Sequence, residues 1–216
     1  MDMEEYYRKR APDYERFYYE CEPELKQGNQ YTAELLMEHL RNRNVLEIAC
    51  GTGYWTRILS STAKQIVGVD ILPETLAYAE EKKYKCNVLF VIADAYNLPF
   101  LDNTFDGGLA NFWFSHIPKD QINTFLTHFH QKLKSKSRVF LSDNNPQNLP
   151  DGKLVTLPND NNTYRVRTVA DGSIHHVLKN YFTIDDLVAI FSKHVKNFDE
   201  SNVYYDKNFW RVAYEL

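Results

Sequence analysis

Cysteine is scarce in this chain. Only Cys21, Cys50 and Cys86 occur in 216 residues, and no C-x-x-C pair is among them, so neither a disulfide framework nor a zinc site is suggested. Each cysteine reads as a small buried filler, and no metal is expected. Long apolar runs are missing too: none approaches the roughly 18 residues that a membrane span needs, which argues against a membrane partner. Nor is there an excess of basic residues. Lys and Arg number 25 against 29 Asp and Glu, a formal charge of -4, and that balance gives no general pull toward nucleic acid or an anionic surface. The opening Met1-Asp2-Met3-Glu4-Glu5 lacks the basic and then apolar pattern of a secretory signal, so a cytoplasmic location is expected.

What is present is enough for one core. A composition of 44% hydrophobic and 25% charged residues predicts a single domain over residues 1–216. Residues 1–31 are dense in tyrosine and charge, with Tyr6, Tyr7, Tyr14, Phe17, Tyr18 and Tyr19, and Pro12, Pro23 and Gly28 interrupt any long helix. Short helical pieces forming an appendage are expected there. Ala33, Leu36, Met37 and Leu40 then fall at i, i+3, i+4 and i+7, one buried stripe on a helix from Thr32 to about Asn42.

Short apolar strands are read at residues 45–49, 66–70, 88–92, 106–112 and 139–141. Helical spacing returns between them, at Trp55, Ile58, Leu59 and Thr62, from Pro73 with Glu74 beside the positive helix end, and at Ile122, Phe125, Leu126, Phe129 and Leu133. Thr183 and Asp186 resemble a capping box ahead of a helix through Phe191. Residues 203–205 and 210–214 flank a turn-like Asp206-Lys207-Asn208, as a closing antiparallel hairpin would. The alternation of strands and helices predicts an α/β, doubly wound parallel sheet. A polar insertion at 143–182 holds two β-like stretches, 164–169 and 175–178, about Asp171-Gly172, and is expected to form a hairpin over one end of the sheet. His175 and His176 read as solvated residues of that hairpin.

In an open α/β sheet ligands bind at the carboxyl ends of the strands, and four strand ends here form a set. Val45-Leu46-Glu47-Ile48-Ala49-Cys50-Gly51-Thr52-Gly53 gives a strand, a tight turn and two glycines that let a ligand approach backbone amides at a helix start. Asp70 ends the second strand, where a carboxylate can accept from both hydroxyls of a ribose. Asp94 and Ala95 follow the third strand, Asp94 offering an acceptor to an exocyclic amine. Asn111 ends the fourth, and Phe112-Trp113-Phe114-Ser115-His116 lays aromatic surface beside it.

From about Val45 to Leu141 this pattern resembles the class I, Rossmann-like S-adenosylmethionine-dependent methyltransferases. The resemblance implies a seven-stranded sheet, mostly parallel with an antiparallel last hairpin and helices on both faces, and S-adenosylmethionine as cofactor. It places Glu47 to Gly53 in the family's first motif, Asp70 on the ribose, Ile71 on the adenine face, and Asp94-Ala95 at the adenine. Backbone at Ala49, Gly51 and Asn111 would meet the methionine part, with Thr52 in the same turn. Ala49 stands where the family's first glycine usually does, and its methyl is expected to be tolerated. Tyr6, Arg10 and Tyr14 are candidates for a lid over the cofactor at 1–31, with a purely structural role as the alternative.

His116 is the candidate general base, because an imidazole's ordinary pKa suits neutral pH; a cap or surface role is its bland alternative. Phe112, Trp113, Phe114, Asp143 and Asn144 are expected to line the pocket of a small-molecule acceptor. Two rivals share the frame. A nicotinamide-dependent oxidoreductase would need a glycine at 56, where Thr56 stands, and a non-catalytic cofactor-binding module would keep the fold without turnover. A nucleic-acid N-methyltransferase is echoed only faintly by Asn111-Phe112-Trp113-Phe114, whose loop lacks the prolines of Asn-Pro-Pro-Tyr.

Overall fold

The structure, a computed structural model, describes residues 3–16, 23–145, 152–169 and 171–216. Phe17, Tyr18, Tyr19 and Cys21 lie outside the described residues. In chain order the elements are α1 (Met3–Arg10), α2 (Pro23–His39), β1 (Asn44–Ile48), α3 (Tyr54–Leu59), β2 (Gln65–Asp70), α4 (Pro73–Glu80), β3 (Asn87–Ile92), β4 (Phe105–Asn111), α5 (Ile122–Gln131) and β5 (Leu133–Asn144). They continue with β6 (Leu154–Thr156), β7 (Thr163–Thr168), β8 (Ile174–Leu178), α6 (Ile184–Phe191), β9 (Val203–Tyr205) and β10 (Phe209–Glu215). Seven strands form one sheet in the order β3-β2-β1-β4-β5-β10-β9. The first five run parallel, and β10 is antiparallel to both β5 and β9.

Side-chain alternation divides the core between the two faces. Val45 and Leu109 join Ala33, Leu36 and Leu40 of α2 and Trp55 and Leu59 of α3. Leu46, Ile48 and Ala110 face Phe125, Leu126 and Phe129 of α5 and Leu187 and Phe191 of α6. At the cap of α6 the Asp186 amide donates to Thr183 Oγ1 (3.2 Å) and the Thr183 amide to Asp186 Oδ2 (2.9 Å), the reciprocal bonds that the sequence spacing predicts.

Three expectations are corrected. The helix expected from Thr32 begins at Pro23 and passes through Gly28. That glycine does not break it but lets it approach the sheet, since a Cβ there would come within 2.6 Å of the Phe209 ring. The fifth strand runs over Leu133–Asn144 rather than 139–141, because β10 pairs with it from Arg138 to Asn144. The insertion is a three-stranded sheet, β6-β7-β8, with Leu154–Thr156 added to the expected hairpin.

Candidate active site

The sheet reverses its winding between β1 and β4, and the crevice opens at their carboxyl ends. A cavity of about 140 Å³ fills it, lined by Glu47, Ala49, Gly51, Asp70, Ile71 and Asp94 among others. Thr52, Ala95, Asn111, Phe112, Trp113, Tyr14 and His116 also border it. Five expected residues do not: Gly53, Tyr6, Phe114, Asp143 and Asn144, the last lining a smaller neighbouring cavity instead. Gly53 caps α3 with φ 78°, and a side chain there would meet Tyr84 Oη at 2.6 Å, so it serves helix packing. Tyr6 is buried with Val169 and Val177 of the insertion, while its neighbour Tyr7 reaches the cavity.

The turn after β1 is held open by backbone geometry. Gly51 has φ 54°, and no atom lies within 4 Å of where its Cβ would stand, so the missing side chain leaves room facing the cavity. Ala49 adopts φ 49° and Phe112 φ 56°, left-handed conformations that cost a non-glycine residue about 1–2 kcal/mol. Both strained residues sit at strand ends on the cavity wall. Phe112 is kept there by its amide bond to the Ser142 carbonyl (2.8 Å) and by stacking on Trp55 at 5.8 Å.

Asp70 organises the turn, accepting from the Gly51 amide at 2.8 Å on one oxygen and from the Leu72 amide at 3.0 Å on the other. Each oxygen keeps a second lone pair for a ligand hydroxyl, and burial raises the carboxyl's pKa. Ile71 beside it is 44% exposed, an apolar plate at the mouth. Glu47 lies deeper. Burial, aided by the nearby Asp70 charge, pushes its pKa up to about 8, and its Oε2 has no hydrogen-bond partner among the described residues. Asn111 Oδ1 accepts from Ser142 Oγ (2.8 Å), while its Nδ2 is likewise unpartnered. An open glycine, the Asp70 carboxylate with spare acceptor capacity, an apolar plate and orphaned polar atoms make this cavity a fit for a polar, ribose-bearing cofactor.

The roof comes from the two ends of the insertion and from the amino terminus. His116 Nδ1 donates to the Leu178 carbonyl (2.6 Å), which fixes the tautomer, and Nε2 accepts from Tyr7 Oη (2.8 Å). Burial and the Lys179 ammonium push its pKa down to about 3. The expectation of an imidazole poised near neutral pH is therefore corrected: the ring is neutral throughout the physiological range. α1 is anchored at both ends of this roof, by Arg8 Nε to Glu74 of α4 (2.8 Å) and by Lys9 to Asp171 of the insertion (2.8 Å). Glu15 accepts from Thr52 Oγ1 (2.6 Å) and pairs with Lys82 (2.6 Å), which itself bonds the Thr52 carbonyl.

Two residues expected in the acceptor pocket lie behind it. Phe114 is fully buried against Phe182, Phe191 and Trp210 and belongs to the core. Asp143 is also fully buried and receives the Ser115 amide (2.8 Å) and the Lys179 ammonium (2.8 Å). Although burial favours its protonated form, that ammonium holds its pKa below the ordinary value. Lys179 also donates to Ser115 Oγ (2.7 Å), so the pair pins the insertion to the loop after β4. Sequence reasoning missed Tyr7, Lys179 and Glu15. A lone tyrosine, lysine or glutamate in a charged segment carries no pattern that singles it out.

Residues 45–136 match the family described as a methyltransferase domain. Over 119 residues, 53% of this chain and 48% of the relative, the chain is 31% identical to the demethylmenaquinone methyltransferase of Staphylococcus epidermidis. Over 86 residues, 38% of this chain and 36% of the relative, it is 35% identical to that of Staphylococcus carnosus. The match thus spans half or less of these curated relatives. Among solved structures, DhpI in a SAM–HEP complex superposes with a TM-score of 0.76 at 22% identity, covering 97% of this chain and 94% of that one. The PH0226 protein of Pyrococcus horikoshii OT3 gives 0.75 at 20%, covering 98% of each. Both establish a shared fold over the whole length.

Proposed function

From a chain that carries a class I, Rossmann-like methyltransferase domain, whose family uses S-adenosylmethionine, we propose an enzyme that methylates a small-molecule acceptor. The observation that supports this most is the geometry of Asp70, which orders the Gly51 turn yet keeps acceptor capacity on both oxygens inside the cavity. The ribose would rest on Asp70, the adenine between Ile71 and Asp94-Ala95, and the methionine end by Ala49, Gly51, Glu47 and Asn111. The relatives named for demethylmenaquinone methylation support a small molecule as acceptor, and so does the partly buried wall of Phe112, Trp113 and His116.

When bound, the cofactor supplies a methyl carbon already electrophilic on its sulfonium. That carbon would be open to in-line attack by an acceptor atom, with the cofactor's sulfur as leaving group. The chain's residues orient the acceptor and exclude water. Tyr7 and His116 close the cavity on the insertion side, and Met3 and Tyr14 border it with them, so α1 and residues 11–16 act as a lid. Neutral His116, with Nδ1 committed to Leu178, offers only Nε2, and an acceptor hydroxyl that displaces Tyr7 Oη would donate a hydrogen bond to it. Calorimetry tests the reading: S-adenosylhomocysteine should bind at micromolar levels and NAD should not, whereas tight NAD binding without heat from S-adenosylhomocysteine would overturn it.

A further inference from the structure

The small sheet of the insertion has two unlike faces. On one, Arg165, Arg167 and Val177 border a small cavity together with Tyr6 and Tyr7 of α1. On the other, Tyr164 stands opposite Leu178 and Val166 opposite His176 in the β7–β8 register, and strand alternation puts these four side chains on one face. Tyr164, His176 and Leu178, with Leu157 just beyond β6, border an open groove of about 650 Å³. Tyr96 and Trp113, from the loops after β3 and β4, border it as well. Met3, Trp113 and His116 line both this groove and the cofactor cavity, so the two meet at that wall.

The groove differs from the cofactor cavity in charge. No Asp, Glu, Lys or Arg is among the described residues that line it, whereas Glu47, Asp70 and Asp94 line the other. Burial, with the nearby Asp94 and Asp120 carboxylates, raises the Tyr96 pKa to about 12. Tyr96 therefore stays a phenol, and the same carboxylates would repel an anion. Two polar atoms of these wall residues are unmatched: Tyr96 Oη and Trp113 Nε1 are buried without a hydrogen-bond partner among the described residues, in rings whose centroids lie 6.4 Å apart. Buried donors rarely go unpaired, and each exception asks for an explanation. An oxygen on a molecule laid against both rings would supply a partner.

We propose that this groove takes the methyl acceptor, and that the acceptor is an uncharged molecule built on a planar ring system, packed against Tyr96, Trp113 and Tyr164. The volume lies within the range of small-molecule sites, and aromatic side chains favour stacked or edge-on contact with another ring. A charged group would meet a wall with no ion to match it. The proposal deepens the methyltransferase reading and rests on it, because the shared wall brings a molecule in the groove to the cofactor.

The test titrates the full chain, saturated with S-adenosylhomocysteine, with three probes of one ring system at neutral pH: 2-naphthol, 2-naphthoate and 2-naphthylmethylammonium. 2-Naphthol should bind at sub-millimolar levels, at least about tenfold tighter than either ion. Leu157→Asp and Tyr164→Ala should each weaken it about fivefold or more. Tyr164→Phe, which keeps the ring and loses the bond to Asp160 (2.6 Å), should hold it within about twofold of the native chain. Leu157 and Tyr164 are chosen because neither lines the cofactor cavity, so S-adenosylhomocysteine affinity should stay unchanged in all three variants. An ion that binds as tightly as 2-naphthol overturns the uncharged acceptor. Absence of 2-naphthol binding, or binding unaltered by Leu157→Asp and Tyr164→Ala, overturns the groove. Both outcomes leave the methyltransferase standing, and failure of S-adenosylhomocysteine itself to bind overturns the reading beneath it.

Discussion

The floor and the roof of the cleft are built on different scales of sequence. The floor is made of strand ends and the turns that follow them, and its key bond, Gly51 to Asp70, joins residues 19 apart. The roof is made of pairings across the chain, with Tyr7 and His116 separated by 109 residues and Lys179 and Ser115 by 64. The floor presents its backbone to the cavity at two left-handed turns. The roof relies on buried side chains whose charges and tautomers are set by each other. A floor of that kind serves any acceptor chemistry, whereas a roof of that kind is where one acceptor would be told from another.

The sharpest break between the two regions comes from Asp70→Ala, which should cost about 2–4 kcal/mol of S-adenosylhomocysteine affinity, since hydrogen bonds to a charged group are worth roughly 1.5–3 each. Calorimetry that finds an unchanged dissociation constant would place the ribose elsewhere. His116→Ala is the roof's counterpart. It should leave cofactor affinity within about twofold and lower turnover by about tenfold, as the loss of one hydrogen bond that orients the acceptor does. Because its pKa is pushed down to about 3, the turnover of the native chain should show no inflection from His116 between pH 5 and 8. An inflection near 6.5 that vanishes in the variant would restore an ordinary imidazole.

Stability against pH separates the regions again. Glu47 on the floor holds its proton up to about pH 8, while the unfolded carboxyl loses it near 4.5. Folding is therefore favoured by the protonated acid at low pH and weakened as pH rises from 4.5 to 8, by up to about 1.4 kcal/mol per unit. Glu47→Gln should remove that decline, as measured by denaturant unfolding at several pH values. His116 in the roof, with His130 in the last turn of α5, has the opposite sign. Both pKa values fall to about 3 from 6.5, so the unfolded chain takes up protons that the folded one refuses. Stability is then lost as pH drops below about 6.5. Chemical unfolding of His130→Gln should show a shallower acid limb.

The smallest effect belongs to Ala49→Gly. Glycine relieves the φ of 49° but adds freedom to the unfolded chain, and the two offset to leave a change under about 1 kcal/mol, readable as a small shift in melting temperature. Cofactor affinity should hold or rise. A loss of affinity would mean that the Ala49 methyl itself touches the ligand.

The sequence by itself determined the sheet, the order of its strand ends and the residues at each of them. Hydrophobic period and turn chemistry act over a few residues, as the Thr183 cap and the Gly51 turn do, and such signals survive in one dimension. Tertiary structure decided what long-range contact controls. Gly28 reads as a helix breaker until the Phe209 ring is seen against it, and Phe114 reads as pocket until three aromatics enclose it. The pKa of His116 and the pairing of Asp143 with Lys179 follow from burial. Burial is a property of the packed chain, set by which distant segments exclude water from a group, and no local pattern of residues encodes it.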